Sequence, residues 1–477
     1  MDLAELLDGI DAAYDGHNAV VGTITDRIED VGEGTLFVCV PGKNTDGHVF
    51  AKQALAKGAV GVVCSTDLGL PRQIITKDTR KTMALLARIF YHNPSEKLRL
   101  VGITGTNGKT TTAHWIRDLL CAENKKTALI GTLGVQLQNE YLQTGYTTPD
   151  ALTMNRILQE FVNAGCRYAV AEISSQALDQ QRCEGLCFEQ AVFTNLSREH
   201  LDYHGNMDRY AAAKAKLFSV AKTAVINADD SYAAIMKKAC RGNVLTCSVF
   251  ANADMVARNI SYKDGAVSYI LVYRTDIARV QVLTPGLVSV YNSMTAIASC
   301  VSQGMDFYAA CEHCKNMMPV RGRMQRILQQ APFAVYVDYA HTPSALLHAL
   351  QTVRTCTDGK IWLVFGCGGE RDRSKRPVMG HIADENADFT VLTDDNPRNE
   401  KAEDILMQIA EGFSQTDRYV FESDRHEAIR YVLQRAQSGD SILIAGKGHE
   451  QMQIRAGVEQ PFDDVSETQK IWDALQK

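Results

Sequence analysis

The sequence predicts an α/β fold of three domains built mainly on parallel sheets, and three observations predict it. First, 477 residues are too many for a single hydrophobic core, which stops growing at about 250–300 residues. Second, short apolar segments rich in β-branched residues alternate with helical patterns along the whole chain, as in sheets covered by helices on both faces. Third, a glycine-containing loop joins a strand to a helix after residue 103. The predicted domains are 1–97, 98–325 and 326–477.

The composition is that of an ordinary globular protein, with 45% apolar and 22% charged residues. A net charge of −6 argues against nucleic-acid binding. No apolar run approaches the ~18–20 residues that span a bilayer, and the acidic start of the chain lacks the basic region of a signal peptide. We therefore expect a cytoplasmic protein. The 13 cysteines are scattered, and the pair Cys311 and Cys314 has no second pair to complete a zinc site.

The predicted first domain alternates short strands with helices. Its strands lie over 35–40 and 59–64, and its helices over 50–57 and 78–92. Asn93-Pro94 ends the second helix, because the residue before a proline disfavours helical backbone. This domain contains no catalytic cluster of its own.

The predicted central domain begins with a phosphate-binding arrangement. A buried strand ends at Ile103, a loop containing Gly105 and Gly108 follows, and a helix begins at Thr110. The glycines let backbone N–H groups approach phosphate oxygens, Lys109 reaches the β- and γ-phosphates, and the Thr110 hydroxyl binds Mg²⁺. The match is incomplete, because the standard pattern has a glycine where this chain has Ile103.

The remaining strands of the central and third domains follow from apolar runs of four to seven residues. They lie over 127–133, 168–173, 190–195, 223–227, 334–338, 361–365, 389–393 and 441–445. Between the two sets, a stretch over 248–283 alternates with period two and predicts an antiparallel section, and a helix over 286–298 follows it. In open α/β sheets ligands bind at the carboxyl ends of the strands, so we expect the site residues in the loops after these strands.

Three residues of the central domain are candidates for chemistry. Glu172 ends a predicted strand beside the phosphate loop, where a second metal contact belongs. His204 lies in a dense cluster of histidines, acids and an arginine over 194–205, and could be a metal ligand or a structural histidine. Lys214 and Lys216 lie on an alanine-rich helix, a pattern typical of solvated surface lysines.

The third domain has polar loops after three strands. They carry Arg371, Arg398 and Glu450. Two arginines and one glutamate that converge at strand ends suit a ligand with both carboxylate and ammonium groups, such as an amino acid. A surface network of salt bridges is the alternative reading of the same residues.

Six motifs, taken in chain order, resemble those of the Mur ligases, the ATP-dependent amide-forming enzymes of peptidoglycan precursor synthesis. They lie at 104–110, 147–149, 172–175, 194–204, 338–343 and 395–398. The resemblance covers nearly the whole chain. It implies an N-terminal UDP-binding domain, a central ATPase domain and a C-terminal Rossmann-like domain.

The resemblance also implies a reaction. ATP phosphorylates the γ-carboxylate of the D-glutamate residue of UDP-N-acetylmuramoyl-L-alanyl-D-glutamate, and the amine of meso-2,6-diaminopimelate attacks the acyl phosphate. With Mg²⁺ and ATP as the implied cofactors, it assigns Lys109, Glu172, His204 and Lys214 to catalysis. The implied metal ligands are Thr110, Glu172, His204 and Lys214 as a carbamate. Carbamylation would turn the lysine into an anion able to support Mg²⁺, contrary to the solvated lysine that the helix pattern favours.

The other implied site residues fall into three groups. Those near ATP are Gly105, Thr106, Asn107, Gly108, Lys109, Thr110, Thr111, Asn292, Arg323, Asp338 and His341. Those near the UDP-muramoyl dipeptide are Asp26, Lys43, Asn44, Thr45, Thr147, Thr148, Ser174, Gln180 and Arg182. Those near diaminopimelate are Arg371, Asp395, Asn396, Pro397, Arg398, Gly446 and Glu450.

Four positions depart from the family pattern. In the first domain, this chain has Asp26 in place of the serine of the family's Asp-Ser-Arg motif. The contact between that serine and uridine therefore stays an open question for this chain. Glu370 stands where the family motif Gly-Gly-Asp-Arg has its Asp. Ser344 stands where the family has an Asp after His-Thr-Pro. Ser289 stands where an Asn is common in the helix after Gly286. None of these changes removes a catalytic group.

Three alternatives are weighed against diaminopimelate addition. L-lysine lacks the distal carboxylate that Arg398 can clamp, while Glu450 can hold the ammonium, so the motif favours diaminopimelate. A folylpolyglutamate synthetase shares the phosphate loop, but the UDP-type first domain and Asp395-Asn-Pro-Arg398 argue against it. A regulatory P-loop protein without ligase activity would not need Lys109, Glu172, His204 and Lys214. All four are present in this chain, which argues against that alternative. The expected partners are the three substrates, with no nucleic acid and no membrane, and the expected state is a monomer.

Overall fold

A computed structural model describes residues 1–42, 45–138, 140–142, 145–263 and 265–477 of the chain. The chain divides into two units, Met1–Leu245 and Thr246–Lys477, each of which contains parallel sheets flanked by helices. The α/β fold class is therefore confirmed, and the finer division at residues 97 and 325 stays a prediction. No helix within the described ranges is long and apolar enough to cross a bilayer.

The first unit begins with a five-stranded sheet of order β1-β5-β4-β3-β2, in which only β1 runs antiparallel to its neighbour. Its elements are α1 (Leu3–Leu6), β1 (Ala12–Tyr14), β2 (Thr23–Thr25), β3 (Thr35–Val38), α2 (Ala51–Ala56), β4 (Gly61–Cys64), β5 (Gln73–Thr76) and α3 (Thr79–Phe90). The predicted strands and helices of this region are confirmed, with ends that differ by at most two residues. Helix α3 begins where Asp78 accepts a hydrogen bond from the backbone N–H of Lys81 at 3.0 Å.

A larger sheet follows in the same unit, in the order β12-β11-β6-β10-β7-β8-β9. Its elements are β6 (Arg99–Thr104), α4 (Lys109–Ala122), β7 (Thr127–Gly131), β8 (Gly134–Leu137), β9 (Glu140–Leu142), α5 (Ala151–Asn163), β10 (Tyr168–Glu172), α6 (Ser175–Asp179), β11 (Phe188–Phe193), α7 (Leu201–His204), α8 (Met207–Val220), β12 (Ala221–Asn227), α9 (Ala233–Ala239) and β13 (Asn243–Ser248). The strands β6, β7, β10, β11 and β12 run parallel and are largely buried, as their apolar sequences predict.

One turn of this sheet was not predicted. The strand expected over 127–133 ends at Gly131, and Gly134 pairs with Gly131 in an antiparallel hairpin. A positive φ of 107° at Gly134 allows the chain to reverse within the two residues Thr132 and Leu133. The hairpin brings Thr132 to the carboxyl end of the parallel strands.

The second unit contains an antiparallel section, as predicted for 248–283. Its elements are β14 (Met255–Lys263), β15 (Ala266–Tyr273), β16 (Asp276–Val282), α10 (Leu287–Ser302) and α11 (Phe307–His313). Strand β15 pairs with both β14 and β16, and its residues Val267, Tyr269 and Leu271 are buried at every second position. The Tyr269 hydroxyl lies 2.8 Å from Oγ of Ser293, which ties this face of the sheet to α10.

The second unit also contains a six-stranded sheet of order β17-β18-β22-β19-β20-β21, parallel except for β17. Its elements, with the adjoining hairpin β23–β24, are β17 (Gln325–Ile327), β18 (Ala334–Asp338), α12 (Pro343–Arg354), β19 (Ile361–Phe365), α13 (Lys375–Asn386), β20 (Phe389–Leu392), α14 (Ala402–Ala410), β21 (Tyr419–Phe421), α15 (Arg425–Leu433), β22 (Ser441–Ala445), β23 (Met452–Arg455), β24 (Val458–Pro461) and α16 (Asp464–Leu475). Because β22 lies between β18 and β19, the loops after these strands diverge and leave a crevice at their carboxyl ends.

A fully buried ion pair joins two helices to this sheet. Nε and Nη2 of Arg425 donate to the two carboxylate oxygens of Asp464 at 2.7 and 2.8 Å, and both side chains are 0% exposed. Arg425 also donates to the carbonyls of Asp394 at 3.3 Å and Ala445 at 3.0 Å. One guanidinium therefore connects α15, α16 and the carboxyl ends of β20 and β22.

We predict that Arg425→Met lowers the unfolding midpoint of the protein strongly. Removing one partner leaves the Asp464 carboxylate buried without its counter-ion, which typically costs ~3–5 kcal/mol. The matched control is Arg354→Met, because Arg354 pairs with Asp388 at 2.6 Å while both side chains are more than 40% exposed. That change should cost at most ~1 kcal/mol. Urea unfolding of the two variants measures the difference, and equal midpoints would contradict the role given to Arg425.

Candidate functional site

The phosphate loop has the strand–loop–helix geometry that the sequence predicts, between β6 and α4. Gly108 has φ +84° and forms the N-cap of α4. A side chain at Gly105 is excluded, because a Cβ there would lie 1.9 Å from Oγ1 of Thr194. Lys109 begins the helix, and its ammonium donates to the carbonyls of Gly105 at 2.9 Å and Thr106 at 2.8 Å. The lysine thus lies over its own loop, where a phosphate chain would be bound.

The loop is held by the segment that follows β11. The backbone N–H of Thr106 donates to the carbonyl of Asn195 at 2.8 Å, and that of Asn107 donates to Oδ1 of Asn195 at 2.9 Å. Oγ1 of Thr194 donates to the Asn107 carbonyl at 2.7 Å. Thr111 lies in the first turn of α4. The residues that open the dense cluster over 194–205 therefore shape the loop.

Glu172 lies at the carboxyl end of β10 and is fully buried. Its Oε2 accepts hydrogen bonds from Oγ1 of Thr110 at 2.9 Å and from Oγ1 of Thr132 at 3.1 Å, and its Oε1 accepts from the backbone N–H of Thr132 at 2.9 Å. Gly131 lies against the carboxylate, since a Cβ there would be 2.2 Å from Oε1. The prediction that Glu172 lies beside the phosphate loop is confirmed.

His204 ends α7 and is buried. Its Nε2 lies 2.9 Å from Oγ of Ser175, and its ring stacks on Tyr210 with centroids 5.0 Å apart. Burial lowers the pKa of His204 below its usual value, and the charge of Asp179 opposes this effect only in part. The imidazole is therefore neutral near neutral pH, which is the form that can bind a metal.

Lys214 is buried, which contradicts the solvated lysine that the alanine-rich helix favoured. It lies one turn after Tyr210 on α8, on the side of the helix that packs inward with Ala211 and Leu217. Its ammonium donates to the carbonyl of Gly105 at 2.8 Å and lies 4.6 Å from the centroid of the Tyr210 ring. The pattern does hold for Lys216, whose side chain is 51% exposed and pairs with Asp179.

The protonation state of Lys214 follows from this burial. Removal from water, together with the nearby charge of Lys109, lowers the pKa of Lys214 well below its usual value. The neutral amine, which is the nucleophilic form, is therefore more accessible at Lys214 than at a solvated lysine. A neutral amine beside the phosphate loop can react with CO2, whereas a solvated ammonium cannot.

Most residues expected to contact the muramoyl dipeptide lie together around Thr148. Its hydroxyl donates to the Glu172 carbonyl at 2.8 Å and accepts from the backbone N–H of Ser174 at 2.9 Å. Nη1 of Arg182 donates to the Thr148 carbonyl at 2.9 Å, and Nη2 donates to Oε1 of Gln180 at 2.8 Å. Oγ1 of Thr147 lies 3.1 Å from that of Thr132. These residues therefore lie next to the end of β10, where Glu172 is.

The expected uridine contacts lie in the loops that follow β2 and β3. Asp26 follows β2 and is exposed, and Thr45 is also exposed in the loop after β3. The carbonyl of Thr45 accepts from the N–H of Gly42 at 2.9 Å. Lys43 and Asn44 lie outside the described residues, so their assignment stays a prediction.

Four residues expected near ATP lie in the second unit. Asn292 is buried on α10, and the Arg323 guanidinium lies 4.8 Å from the centroid of the Tyr339 ring. Asp338 ends β18, where burial raises the pKa of its carboxyl group, and it accepts backbone hydrogen bonds of 2.7 and 2.9 Å. Nδ1 of His341 lies 2.9 Å from the Tyr339 carbonyl. Their roles toward ATP stay predictions.

Arg371 and Arg398 lie close to Gly368, in the loops that follow β19 and β20 of the second unit. A Cβ at Gly368 would lie 3.3 Å from Nη1 of Arg398 and 3.7 Å from Cγ of Arg371. Arg398 has φ +53°, donates its backbone N–H to Ile454 at 3.0 Å and donates Nη1 to the Gly369 carbonyl. Both arginines thus come close to Gly368, and their joint role toward a ligand stays a prediction.

Glu450 faces the same crevice. Its Oε2 accepts from Nδ2 of Asn396 at 2.8 Å, and the Tyr339 hydroxyl donates to Oε1 at 3.4 Å. Asp395 and Pro397 are buried beside Asn396, and the Asp395 carboxylate lies 3.7 Å from where a Cβ of Gly446 would be. Arg371 is exposed, Arg398 is half-buried and Glu450 is 34% exposed, so the convergence of these three charged side chains on one amino acid stays a prediction beside the surface network.

Sequence reasoning missed several residues that position the site. These are Thr132, Ser175, Tyr210, Arg425 and Lys447. Thr132 and Lys447 lie within two residues of strand ends, and that signal could have found them. The other three act from helices, where no local pattern shows which side chain reaches the site.

The described residues suit magnesium in part. No group of three or more His, Cys, Asp and Glu side chains in the described part of the chain is arranged to hold a metal ion by itself. The Thr110 hydroxyl and the Glu172 carboxylate do offer neighbouring oxygen donors. Mg²⁺ in nucleotide sites is typically held by one or two carboxylates together with phosphates and water, so these two residues fit it.

Comparison with known proteins assigns nearly the whole chain. Residues 29–91 match the profile of the Mur ligase family catalytic domain, 103–300 that of the Mur ligase middle domain, and 322–448 that of the Mur ligase glutamate ligase domain. The chain is 40% identical over 442 residues to UDP-N-acetylmuramoyl-L-alanyl-D-glutamate–2,6-diaminopimelate ligase of Geobacillus thermodenitrificans, covering 90% of each chain.

Two further similarities cover even more of the chain. The chain is 39% identical to the ligase of the same name from Alkaliphilus metalliredigens, over 99% of this chain and 97% of the relative. A solved structure of a UDP-N-acetylmuramoyl-L-alanyl-D-glutamate–2,6-diaminopimelate ligase superposes with a TM-score of 0.72 at 35% identity, covering 96% of each chain.

We predict that Gly131→Ala destabilises the protein through the Glu172 carboxylate. The new Cβ would lie 2.2 Å from Oε1, so the carboxylate must leave its bonds to Thr132. Crowding of this kind typically costs ~1–3 kcal/mol. Gly32→Ala is the control, since a Cβ there meets nothing within 4 Å. Thermal unfolding of both variants tests this, and a Gly131→Ala protein as stable as the control would contradict the packing described.

Proposed function

We propose that this chain, which belongs to the Mur ligase family, joins meso-2,6-diaminopimelate to UDP-N-acetylmuramoyl-L-alanyl-D-glutamate with hydrolysis of ATP to ADP and phosphate. One observation carries the proposal: relatives that are 39–40% identical over 90–99% of this chain have the name of that ligase. The geometry of the two sites agrees with the chemistry that the reaction needs.

The first step is phosphoryl transfer between two anions, and the first unit supplies the charge that it requires. The γ-carboxylate of the D-glutamate residue attacks the γ-phosphorus of ATP, and ADP leaves. Lys109 would exchange its two loop carbonyls for phosphate oxygens, since it already lies over the loop. Backbone N–H groups at the start of α4 would stabilise the same oxygens.

The dipeptide would be bound beside this carboxylate network. Thr148, Ser174 and Arg182 are linked by hydrogen bonds next to Glu172, so an acyl group held there lies beside the phosphate loop. Proximity of this kind turns the transfer into an effectively intramolecular step.

A magnesium ion would be held by Thr110 and Glu172, with His204 and carbamylated Lys214 as the further ligands that we propose. When bound, the ion neutralises charge on the phosphates. Carbamylation of Lys214 requires a neutral amine: its nitrogen forms a bond to the carbon of CO2 and releases one proton. The burial that lowers the pKa of Lys214 supplies that amine.

The second step forms the amide, and the second unit would select the amine. The amine nitrogen attacks the acyl carbon, and the tetrahedral intermediate loses phosphate. Arg371 and Arg398 would pair with carboxylate groups of diaminopimelate, and Glu450 with an ammonium group. L-lysine would leave one guanidinium facing no carboxylate, so diaminopimelate is the substrate that we propose. A cytoplasmic location and a monomeric state stay predictions.

The test is phosphate release by the purified protein with ATP and Mg²⁺. We expect release that requires both the UDP-muramoyl dipeptide and meso-diaminopimelate, and that is lost in a folded Lys109→Ala variant. Release with L-lysine instead would favour the lysine-adding ligase. Release with a folate and glutamate would favour a folylpolyglutamate synthetase, and no release with any amino acid would favour a protein without ligase activity.

We predict that Lys214 is carbamylated. Protein equilibrated with carbon-13-labelled bicarbonate should show a carbamate carbon signal by NMR that is absent from Lys214→Ala. Lys216→Ala is the matched control, because this lysine lies two positions along the same helix but is 51% exposed and pairs with Asp179. A signal that survives in Lys214→Ala, or that disappears in Lys216→Ala, would contradict the assignment. Lys214→Ala should also be nearly inactive and partly rescued by short carboxylates.

We predict that Arg398→Ala lowers kcat/KM for meso-diaminopimelate by roughly 30- to 1,000-fold, because the distal carboxylate loses a charge-assisted pair of bonds. The KM for ATP should hardly change, and the slight use of L-lysine should not decrease further. Arg373→Ala is the control, since Arg373 is 66% exposed and pairs with Glu400 at 3.2 Å. If Arg398→Ala uses diaminopimelate as the wild type does, the specificity assignment is wrong even though the ligase assignment can stand.

A further inference from the structure

We infer that Lys447 is a positioning residue for amino-acid recognition, acting through Glu450 and Asn396. The inference rests on the proposed function, because it concerns the same crevice of the second unit. Lys447 follows Gly446 at the carboxyl end of β22, and its side chain is 0% exposed. A lysine so deeply buried is costly unless its ammonium is fully bonded.

The ammonium of Lys447 is bonded on every side. It donates to the carbonyl of Met452 at 2.7 Å, to Oδ1 of Asn396 at 3.2 Å and to Oε2 of Glu450 at 3.4 Å. An ammonium has three N–H donors, so these three acceptors use all of them. A carboxylate oxygen of Asp395 lies 3.9 Å away. None of its donors remains for a ligand, so Lys447 would act through the groups that it holds.

The first of these groups is the Asn396 amide. Its Oδ1 accepts from the Lys447 ammonium and from the backbone N–H of Ile454 at 3.0 Å. Two donors on the oxygen leave the amide only one orientation, in which Nδ2 points to Oε2 of Glu450 at 2.8 Å. Without the ammonium, the amide loses one of the two bonds that set this orientation.

The second group is the Glu450 carboxylate. Oε2 receives bonds from Asn396 and Lys447, and Oε1 receives one from the Tyr339 hydroxyl. The side chain is nevertheless 34% exposed, so it keeps acceptor capacity toward the crevice. Lys447 therefore holds the carboxylate from behind, while the front stays available for an ammonium group of the substrate.

The arrangement predicts that Lys447 affects amino-acid binding more than ATP binding. Lys447→Met keeps most of the side-chain volume and removes the charge. We expect it to raise the KM for meso-diaminopimelate by roughly 10- to 100-fold, because the carboxylate that binds the substrate loses its orientation and its counter-charge. The KM for ATP should stay within about three-fold of the wild type.

A double-mutant cycle separates positioning from a general loss of stability. If Lys447 acts through Glu450, Lys447→Met should raise the KM for diaminopimelate when Glu450 is present. The same substitution should hardly change that KM in a protein that already has Glu450→Gln. Ile429→Ala is the control, because Ile429 is a fully buried core residue of α15. Ile429→Ala should lower the unfolding temperature without changing the ratio of the KM for diaminopimelate to the KM for ATP.

The measured KM values either support or overturn the positioning role of Lys447. A rise in the diaminopimelate KM that disappears in the Glu450→Gln background supports the inference. A folded Lys447→Met variant with unchanged KM values, or effects that simply add in the double variant, overturns it while the proposed function stands. If Lys447→Met does not fold, Lys447→Gln, which keeps a donor without the charge, takes its place in the cycle. A wild-type protein without diaminopimelate-dependent phosphate release would overturn the proposed function and this inference together.

Discussion

The buried carboxylate of Glu172 is the interaction on which the site of the first unit depends. It lies at the end of β10 and accepts hydrogen bonds from the start of α4 and from the turn between β7 and β8. Three separate parts of the chain are therefore held at one point. An unpaired buried carboxylate would be costly, so the hydroxyls of Thr110 and Thr132 and the missing side chain at Gly131 are consequences of placing it there.

The second unit also buries charged side chains, but there the buried charges are positive. Arg425 and Lys447 are buried cations, and each is completely surrounded by acceptors at the carboxyl ends of β20 and β22. Their bonds go to backbone carbonyls and to Asp464, Asn396 and Glu450. Buried charges of this kind hold loops in one conformation, because any movement leaves an ion without a partner. The loops that carry the amino-acid candidates are thus tied to the sheet by buried ions where they leave it.

Burial also decides which groups are reactive. Lys214 and Lys216 lie two residues apart on α8, yet one is surrounded by protein and the other by water. Burial lowers the pKa of Lys214 well below its usual value, and the alanine-rich composition of the helix alone does not distinguish the two lysines. Only Lys214 can therefore present a neutral amine to the phosphate loop.

The sequence by itself determined the order of strands and helices, the phosphate loop, and the strand ends at which Glu172, Arg398 and Glu450 lie. These features depend on local periodicity, on glycine positions and on the rule that parallel strands end at one edge, all of which can be read from neighbouring residues. The tertiary structure decided the burial of Lys214 and the contacts of Lys447. Both depend on which side of an element packs against distant parts of the chain, and that is settled by the whole core and by no local pattern.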